Sequence, residues 1–262
     1  MATRKPYILF IGYGHLAKSL LSKSLLKNYS IHFINSKQQI FSLKNKNKIK
    51  IKTNYNYVFL LVRPDIFKKI GDQFISYLDK KTIIISCIAG ISINSLSKTL
   101  KSRNIVRIMP NIMAKNSLSQ TLIFSKNKKI LNRNFDNLIK SFGTSIYSHN
   151  EDHINIATAI YGSGPAFIAF IINSFLIAAK NISKNAKIKD DDLIDLIKNV
   201  ITINNNSKDL EKFLNSIASK KGTTQSGIKF LKSQNLKKIM YTTLDRAYKR
   251  AKEISVERKN FK

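Results

Sequence analysis

Short apolar runs alternate with helical patterns over residues 1–149 of the chain. The run YILFI at 7–11 is continuously apolar, and leucines at helical spacing follow it over 15–27. This pattern predicts a buried strand and then a helix. Because strand and helix keep alternating, the sequence favours a parallel sheet covered on both faces. The further predicted strands are 31–34, 57–62, 82–87, 104–109, 121–125 and 145–149, with helices at 65–78 and 92–102.

Residues 150–262 show helical patterns only. Acidic residues open the stretch 189–201, where they favour the positive end of a helix dipole. A last long helix is predicted over about 236–257. The predicted fold is therefore α/β, with a Rossmann-type domain over 1–149 followed by an all-α domain over 150–262.

The most apolar segment of the second domain is 165–179. It begins at Pro165, which suits the first turn of a helix because its missing N–H has no partner there. The segment is shorter than the roughly 20 residues of a membrane-spanning helix, and Asn173 and Ser174 interrupt it. The apolar run before Gly12 is likewise too short for the core of a signal peptide. We therefore expect a cytoplasmic protein without a membrane partner, in which this helix is buried against protein.

The chain is strongly basic, with 46 Lys and Arg against 15 Asp and Glu and a formal charge of +31. Such a charge can indicate a nucleic-acid partner. The lysines are spread over every segment, however, and the densest run, 44–52, has no aromatic residue for base stacking. Compositional drift towards Lys, Asn and Ile explains the charge better than a dedicated nucleic-acid surface.

Cysteine and histidine usage excludes two kinds of site. Cys87 is the one cysteine, so no intrachain disulfide can form, and a reducing intracellular compartment is expected. The four histidines are not spaced as metal ligands. We expect no metal site.

A glycine turn separates the first predicted strand from the first predicted helix. Its G-x-G-x-x-A spacing is that of dinucleotide-binding proteins. Gly12 permits the tight turn, Gly14 lets the backbone approach a pyrophosphate, and Ala17 leaves room for close helix packing. The helix start at His15 and Leu16 offers free N–H groups to the phosphates. In this context the spacing predicts nucleotide binding rather than an ordinary strand–turn–helix.

The triplet Asn35, Ser36 and Lys37 follows the second predicted strand. An NAD-binding protein usually has Asp or Glu here to bind the ribose hydroxyls. A neutral-to-basic triplet accepts a 2′-phosphate that a carboxylate would repel, although a solvated polar turn would have the same sequence. NADPH is therefore the predicted cofactor, with NADH as the alternative.

Five stretches carry further motifs in a fixed order over nearly the whole chain. They are FIGYGHLA (10–17), LLVRP (60–64), SCIAGI (86–91), RIMPNIMA (107–114), and YGSGPAF (161–167) followed by SKKGTTQSGIKFL (219–231). Together they resemble the pyrroline-5-carboxylate reductase family. The resemblance implies NAD(P)H binding by the first domain and reduction of 1-pyrroline-5-carboxylate to L-proline. It also implies a homodimer through the helical domain, and dimers of the family often assemble further.

The resemblance also implies cofactor-binding residues at the ends of three predicted strands, the last of them near the nicotinamide. They are Val62, Arg63 and Pro64 after one strand, Ala89 and Gly90 after the next, and Asn111 in the MPN segment.

The loop SKKGTT at 219–224 contains no strong acid or base. Imine reduction needs few, because the nicotinamide supplies the hydride and the protein must mainly orient the substrate. We predict that Ser219 and the N–H groups of Gly222, Thr223 and Thr224 bind the substrate carboxylate, as helix starts bind anions. The Thr224 hydroxyl would bind the ring nitrogen. A capped helix start with two solvated lysines is the plainer alternative.

Some motif positions depart from the family pattern. Lys220 and Lys221 replace Pro and Gly of S-P-G-G-T-T, and Ile112 and Met113 replace the Thr-Pro after MPN. Two other functions therefore stay open. One is an NADP-linked reductase of the same build acting on a different imine or keto acid, and the other is a nucleotide-binding protein that has lost catalysis. The retained Ser219 favours an active enzyme.

Overall fold

The computed structural model describes residues 5–49, 54–184, 186, 188–204 and 206–256. They form two compact units. The larger unit comprises the chain up to Ser163 together with the residues from Arg246 onward, and the smaller is Gly164–Asp245.

The larger unit is built on an eight-stranded sheet with the order β3-β2-β1-β4-β5-β6-β7-β8. The strands are β1 (Tyr7–Ile11), β2 (Ser30–Ile34), β3 (Ile40–Ser42), β4 (Tyr57–Leu60), β5 (Ile83–Ser86), β6 (Ile105–Met109), β7 (Ser119–Phe124) and β8 (Gly143–Tyr147). Strands β2, β1, β4, β5 and β6 are parallel, as predicted. The prediction of a parallel sheet was wrong at the two edges of the sheet. Strand β3 pairs antiparallel with β2, and β7 pairs antiparallel with β6, with β8 parallel to β7. The links before β3 and β7 are short, and short links can join only antiparallel neighbours.

The core lies on both faces of this sheet. Strand β1 is almost completely buried. Its successive side chains point to opposite faces of the sheet, and both faces are covered. Leu9 and Ile11 belong to one hydrophobic cluster, and Ile8 and Phe10 to the other. This burial on both faces explains why the strand has a continuous apolar sequence rather than an alternating one.

Helices cover the two faces separately. The six in chain order are α1 (His15–Ser19), α2 (Lys23–Asn28), α3 (Pro64–Ile70), α4 (Ile93–Leu100), α5 (Arg133–Lys140) and α6 (His153–Ala157). Helices α1, α2 and α5 contribute to the cluster around Phe10, and α3, α4 and α6 to the cluster around Leu9. Short 3-10 helices occupy Gly71–Tyr77, Ile112–Asn116 and Lys128–Ile130.

Three predicted elements of the first domain differ from the structure. The helix predicted over 65–78 divides into α3 and the 3-10 helix Gly71–Tyr77. The predicted helix over 15–27 is broken into α1 and α2, because the buried Ser22 accepts a hydrogen bond of 3.1 Å from the N–H of Leu25 and begins a new helix. The predicted strand over 57–62 ends at Leu60, and the next two residues enter the turn before α3.

The residues after 163 are helical, as the sequence predicts. The helices are α7 (Gly164–Ile182), α8 (Asp190–Thr202), α9 (Ser207–Ile217), α10 (Thr223–Ser233) and α11 (Leu236–Val256). The acidic start of α8 lies where it was expected, at Asp190, Asp191 and Asp192. The end of α11 belongs to the larger unit.

The apolar helix is longer than predicted. It runs without a break from His153 to Ile182, through α6, a π-helical segment Thr158–Ser163 and α7. Pro165 therefore does not begin the helix. It follows π-helical turns, a local widening of the kind that often marks functional sites. By length and composition alone, this helix of the described chain could cross a membrane, so the prediction that it is too short was wrong.

Candidate active site

The glycine turn follows β1 at the carboxyl edge of the sheet, where the strand order reverses between β1 and β4. In α/β proteins this edge is the usual ligand-binding place. Gly12 has φ +98°, and a Cβ on it would lie 2.9 Å from the carbonyl oxygen of Leu61. A Cβ on Gly14 would meet no described atom within 4 Å. The turn thus packs tightly on the protein side at Gly12 and is open at Gly14, which fits a pyrophosphate against the backbone.

Helix α1 continues from this turn. Ala17 is buried against the core, and the N–H of Lys18 donates to the Gly14 carbonyl over 3.1 Å to close the first helical turn. The N–H groups of His15 and Leu16 lie within that first turn, where an α-helix gives no intrahelical acceptor. These groups therefore lack an acceptor within the helix, and their binding to a phosphate stays a prediction.

The turn after β2 is shaped by Asn35. Its Oδ1 accepts from the N–H groups of Lys37 and Gln39, both over 3.0 Å, and this brings the chain back as β3. Ser36 and Lys37 are exposed at the tip of the turn. The Asn35 side chain is thus occupied in the turn, whereas the two following side chains remain accessible to a ligand.

The predicted residues after β4 and β5 share the carboxyl edge with the glycine turn. The N–H of Leu61 donates to the Ile11 carbonyl over 2.8 Å, so the chain before Val62 is held beside β1. Arg63 is exposed and caps α3, with Pro64 in its first turn. After β5, Gly90 has φ +68° and is buried beside the half-buried Ala89.

Asn111 is held rigidly after β6. Its N–H donates to Ser119 Oγ and its Oδ1 accepts from the N–H of Met113, both over 3.0 Å. The residue is 3 % exposed, and its Nδ2 has no acceptor among the described residues. A buried donor without a partner is costly. The side chain therefore keeps one buried donor without a partner among the described residues, while its other polar groups are fixed by Ser119 and Met113.

The loop of Ser219 forms a tight turn at the start of α10. The N–H of Gly222 donates to the Ser219 carbonyl over 3.0 Å, and a Cβ on Gly222 would lie 2.4 Å from Ser219 Oγ. Gly222 caps α10 without a side-chain hydrogen bond, and the half-buried Thr224 lies in the first turn. The predicted substrate residues, including Thr223, are thus brought together within the Gly164–Asp245 unit.

Lys221 adopts φ +60° in this turn. A non-glycine residue in the left-handed region is uncommon. It is the position at which the family motif has Gly, and the preceding family Pro suits the first central position of such a turn. The turn is therefore retained here with a less favourable residue.

Sequence reasoning missed several polar contacts near this edge. Ser119 Oγ lies 3.0 Å from the N–H of Asn111 and 3.1 Å from Thr121 Oγ1, and both hydroxyl residues are buried. The buried Arg107 forms an ion pair of 2.9 Å with the half-buried Glu151. The charge inside the apolar run NIVRIM was the signal that could have pointed to such a partner.

Two further kinds of candidate, a reactive thiol and a metal site, find no support among the residues that the structure describes. Cys87 is buried, and this burial raises the pKa of its thiol, which disfavours the reactive thiolate. Over the described part of the chain, no group of three or more His, Cys, Asp or Glu is placed to hold a metal ion.

Comparisons with known proteins bear on the family of this chain. Residues 151–254 match the family model for pyrroline-5-carboxylate reductase dimerisation, and residues 7–90 match that for the coenzyme F420-dependent NADP oxidoreductase. A curated pyrroline-5-carboxylate reductase of Staphylococcus haemolyticus is 30 % identical over 279 residues, which cover 97 % of this chain and 99 % of that protein. One from Staphylococcus aureus (strain COL) is 31 % identical over 202 residues, covering 76 % and 74 %.

Solved structures show the same fold. Plasmodium falciparum pyrroline carboxylate reductase, crystallised with NADP bound, has a TM-score of 0.79 at 22 % identity and covers 97 % of this chain and 99 % of that one. The pyrroline-5-carboxylate reductase of Coxiella burnetii has a TM-score of 0.72 at 25 % identity, covering 96 % and 99 %. The chain therefore belongs to the pyrroline-5-carboxylate reductase family.

Proposed function

We infer that this chain reduces 1-pyrroline-5-carboxylate to L-proline with NADPH. The observation that carries the inference is the similarity to a curated reductase over 97 % of the chain. The glycine turn and the SKKGTT loop support it, because each keeps the backbone geometry that its role needs.

On the cofactor side, the turn from Gly12 to Ala17 would hold the pyrophosphate, and Ser36 and Lys37 the 2′-phosphate. The segments Val62–Pro64 and Ala89–Gly90 would border the cofactor along the sheet edge. Asn111, with its backbone N–H and Oδ1 fixed by Ser119 and Met113, would lie near the nicotinamide end. When bound, the reduced nicotinamide supplies a hydride.

On the substrate side, the chain's task is orientation. Ser219 Oγ and the N–H groups at the start of α10 would bind the carboxylate, since a helix start carries partial positive charge. Thr224 would donate or accept a hydrogen bond at the ring nitrogen and thereby fix the imine carbon. Lys220 and Lys221 add a positive potential for an anionic substrate, though salt screens it.

The direct test is NADPH oxidation in the presence of pyrroline-5-carboxylate, measured as the loss of the reduced cofactor. Turnover supports the proposal. Binding of NADPH without turnover of any imine would instead support a degraded enzyme. Turnover with a different cyclic imine or keto acid, and none with pyrroline-5-carboxylate, would support a related reductase.

Ser36→Glu should reverse the cofactor preference, so that NADH binds more tightly than NADPH. The exposed tip of the turn after β2 has no carboxylate, and a new one would repel the 2′-phosphate and accept from ribose hydroxyls. Calorimetric titration of wild type and variant with both cofactors measures this. Ser36→Gln is the control, because glutamine has the shape of glutamate without its charge. This variant should still prefer NADPH. Equal affinity of the wild type for both cofactors would refute the assignment.

Lys221→Gly should raise the free energy of unfolding by about 1 kcal/mol, because glycine adopts positive φ without the penalty of a Cβ. Thermal unfolding at fixed protein concentration measures it. Lys220→Gly is the matched control. This neighbouring lysine is not among the positive-φ residues, so glycine there should destabilise the protein. An unchanged or lower melting temperature for Lys221→Gly would contradict the argument.

The helical domain supports a homodimer. Its family match is to a dimerisation domain, and the match includes the apolar helix from His153 to Ile182. A partner subunit rather than lipid is therefore the proposed cover for this helix. We place the protein in the cytoplasm, without a membrane partner. We also propose that its dimers assemble further, as in the family. The proposed domain boundary stays between residues 149 and 150.

A further inference from the structure

Glu151 joins two segments of the larger unit through one oxygen atom. Its Oε1 accepts from Arg107 Nη1 over 2.9 Å and from the N–H of Ile93 over 2.6 Å. Arg107 lies in the middle of β6, and Ile93 is the first residue of α4. The Ile93 N–H belongs to the helix start, where no intrahelical acceptor exists. Glu151 thus supplies the acceptor that this part of the fold lacks.

The ion pair is a poor way to stabilise β6. The Arg107 side chain is only 4 % exposed, and its Nε and Nη2 have no acceptor among the described residues. Burial lowers the pKa of the guanidinium, although Glu151 opposes this effect. Well-packed apolar residues in such a place are often as stabilising as a buried pair. The pair is therefore better explained by the geometry that it imposes than by its contribution to stability.

Both segments lead to residues assigned to the cofactor. Ile93 closely follows Ala89 and Gly90, and Arg107 shortly precedes Asn111. We propose that Glu151 is a positioning residue for NADPH, which holds the start of α4 against β6 and so fixes the turn after β5 relative to Asn111. This proposal rests on the proposed function, since that function assigns these residues to the cofactor.

The neighbouring carboxylate makes different contacts. Asp152 Oδ2 accepts from Tyr248 Oη over 3.1 Å and lies 3.6 Å from Lys252 Nζ, both on the end of α11. Its Oδ1 accepts from Asn155 Nδ2 over 2.8 Å. Asp152 therefore makes its side-chain hydrogen bonds to α6 and α11. Its charge acts on Arg107 without a hydrogen bond to β6 or α4, which makes it a natural control for Glu151.

Two double variants isolate the positioning contact. Arg107→Met removes the buried cation, so that no partner charge is left uncompensated. In that background Glu151→Gln keeps an acceptor for the Ile93 N–H, whereas Glu151→Met has the same length without one. We expect the Gln variant to bind NADPH within about twofold of the wild type and the Met variant about tenfold more weakly, the loss that one buried hydrogen bond predicts. The KM for pyrroline-5-carboxylate should be unchanged in both.

Hydrogen exchange at the Ile93 amide gives a readout that does not depend on the cofactor. In the cofactor-free protein it should be faster in the Met variant than in the Gln variant. Should the Met variant not fold, Glu151→Ala in the same background takes its place. Asp152→Asn should leave NADPH affinity at the wild-type value.

Equal NADPH affinity in the two double variants would overturn the proposal, as would an equal loss in Asp152→Asn. The proposed function can fail separately. A wild type that binds NADPH but turns over no pyrroline-5-carboxylate would refute the proposed function. The comparison of NADPH affinities between the two double variants would still decide the role of Glu151. A wild type that does not bind NADPH overturns both.

Discussion

A Thr224→Ala enzyme should lose about 5- to 150-fold in kcat/KM for pyrroline-5-carboxylate, corresponding to roughly 1–3 kcal/mol of transition-state stabilisation. The substitution removes one hydroxyl from a site whose proposed task is orientation. Thr224 is half-buried in the first turn of α10, so its side chain is already partly fixed. A positioned hydroxyl contributes more than a mobile one, because less conformational freedom is lost in the reaction.

Steady-state kinetics and NADPH titration together test this assignment. NADPH affinity should barely change, because the cofactor residues are far from Thr224 in the sequence. Lys220→Ala is the control within the same loop. Its side chain is exposed, and its attraction for the substrate is screened by salt, so its loss should be smaller. An unchanged kcat/KM in Thr224→Ala would refute the role, as would a loss that arises wholly from weaker NADPH binding.

The sequence predicts the centre of the sheet well because burial on both faces leaves a continuous apolar run, as in β1 and β4. It does not predict β3. That strand has three residues, and it exists because Asn35 turns the chain back on β2. The break between α1 and α2 is also invisible in the leucine spacing. A buried Ser22 produces it, and burial of a serine is a property of the fold and not of the local pattern.

The candidate site also has one part that the sequence predicts and another that it does not. The glycine turn can be read from the sequence because the backbone conformation at Gly12 excludes other residues. The contacts of Asn111 with Ser119 and of Arg107 with Glu151 cannot, because they join residues that only the fold brings together. Motif spacing therefore identifies positions where the backbone is constrained, whereas the side chains that hold those positions come from other elements.

The helical unit of a single subunit has few buried residues to stabilise it. Within Gly164–Asp245, the buried residues among those described are Gly164, Leu193 and Asn204. Large apolar side chains are exposed instead, and Phe170 is 74 % exposed. Large apolar side chains exposed in this number indicate that another surface covers them. We therefore expect an obligate homodimer that buries at least about 2,000 Å² through this unit, in the range of permanent interfaces.

Phe170→Glu should weaken that dimer at least a hundredfold in Kd, because an unpaired charge buried at an interface costs about 3–5 kcal/mol. The variant should also lose helical structure, since a unit without its own core depends on the partner for burial. Sedimentation and circular dichroism over a range of protein concentrations measure the two effects. Leu26→Glu is the control, because Leu26 is an exposed apolar residue of the other unit, 45 % exposed on α2, and it should leave assembly unchanged. A wild type that sediments as a folded monomer at micromolar concentration would contradict the interface, and so would a Phe170→Glu protein that assembles as tightly as the wild type.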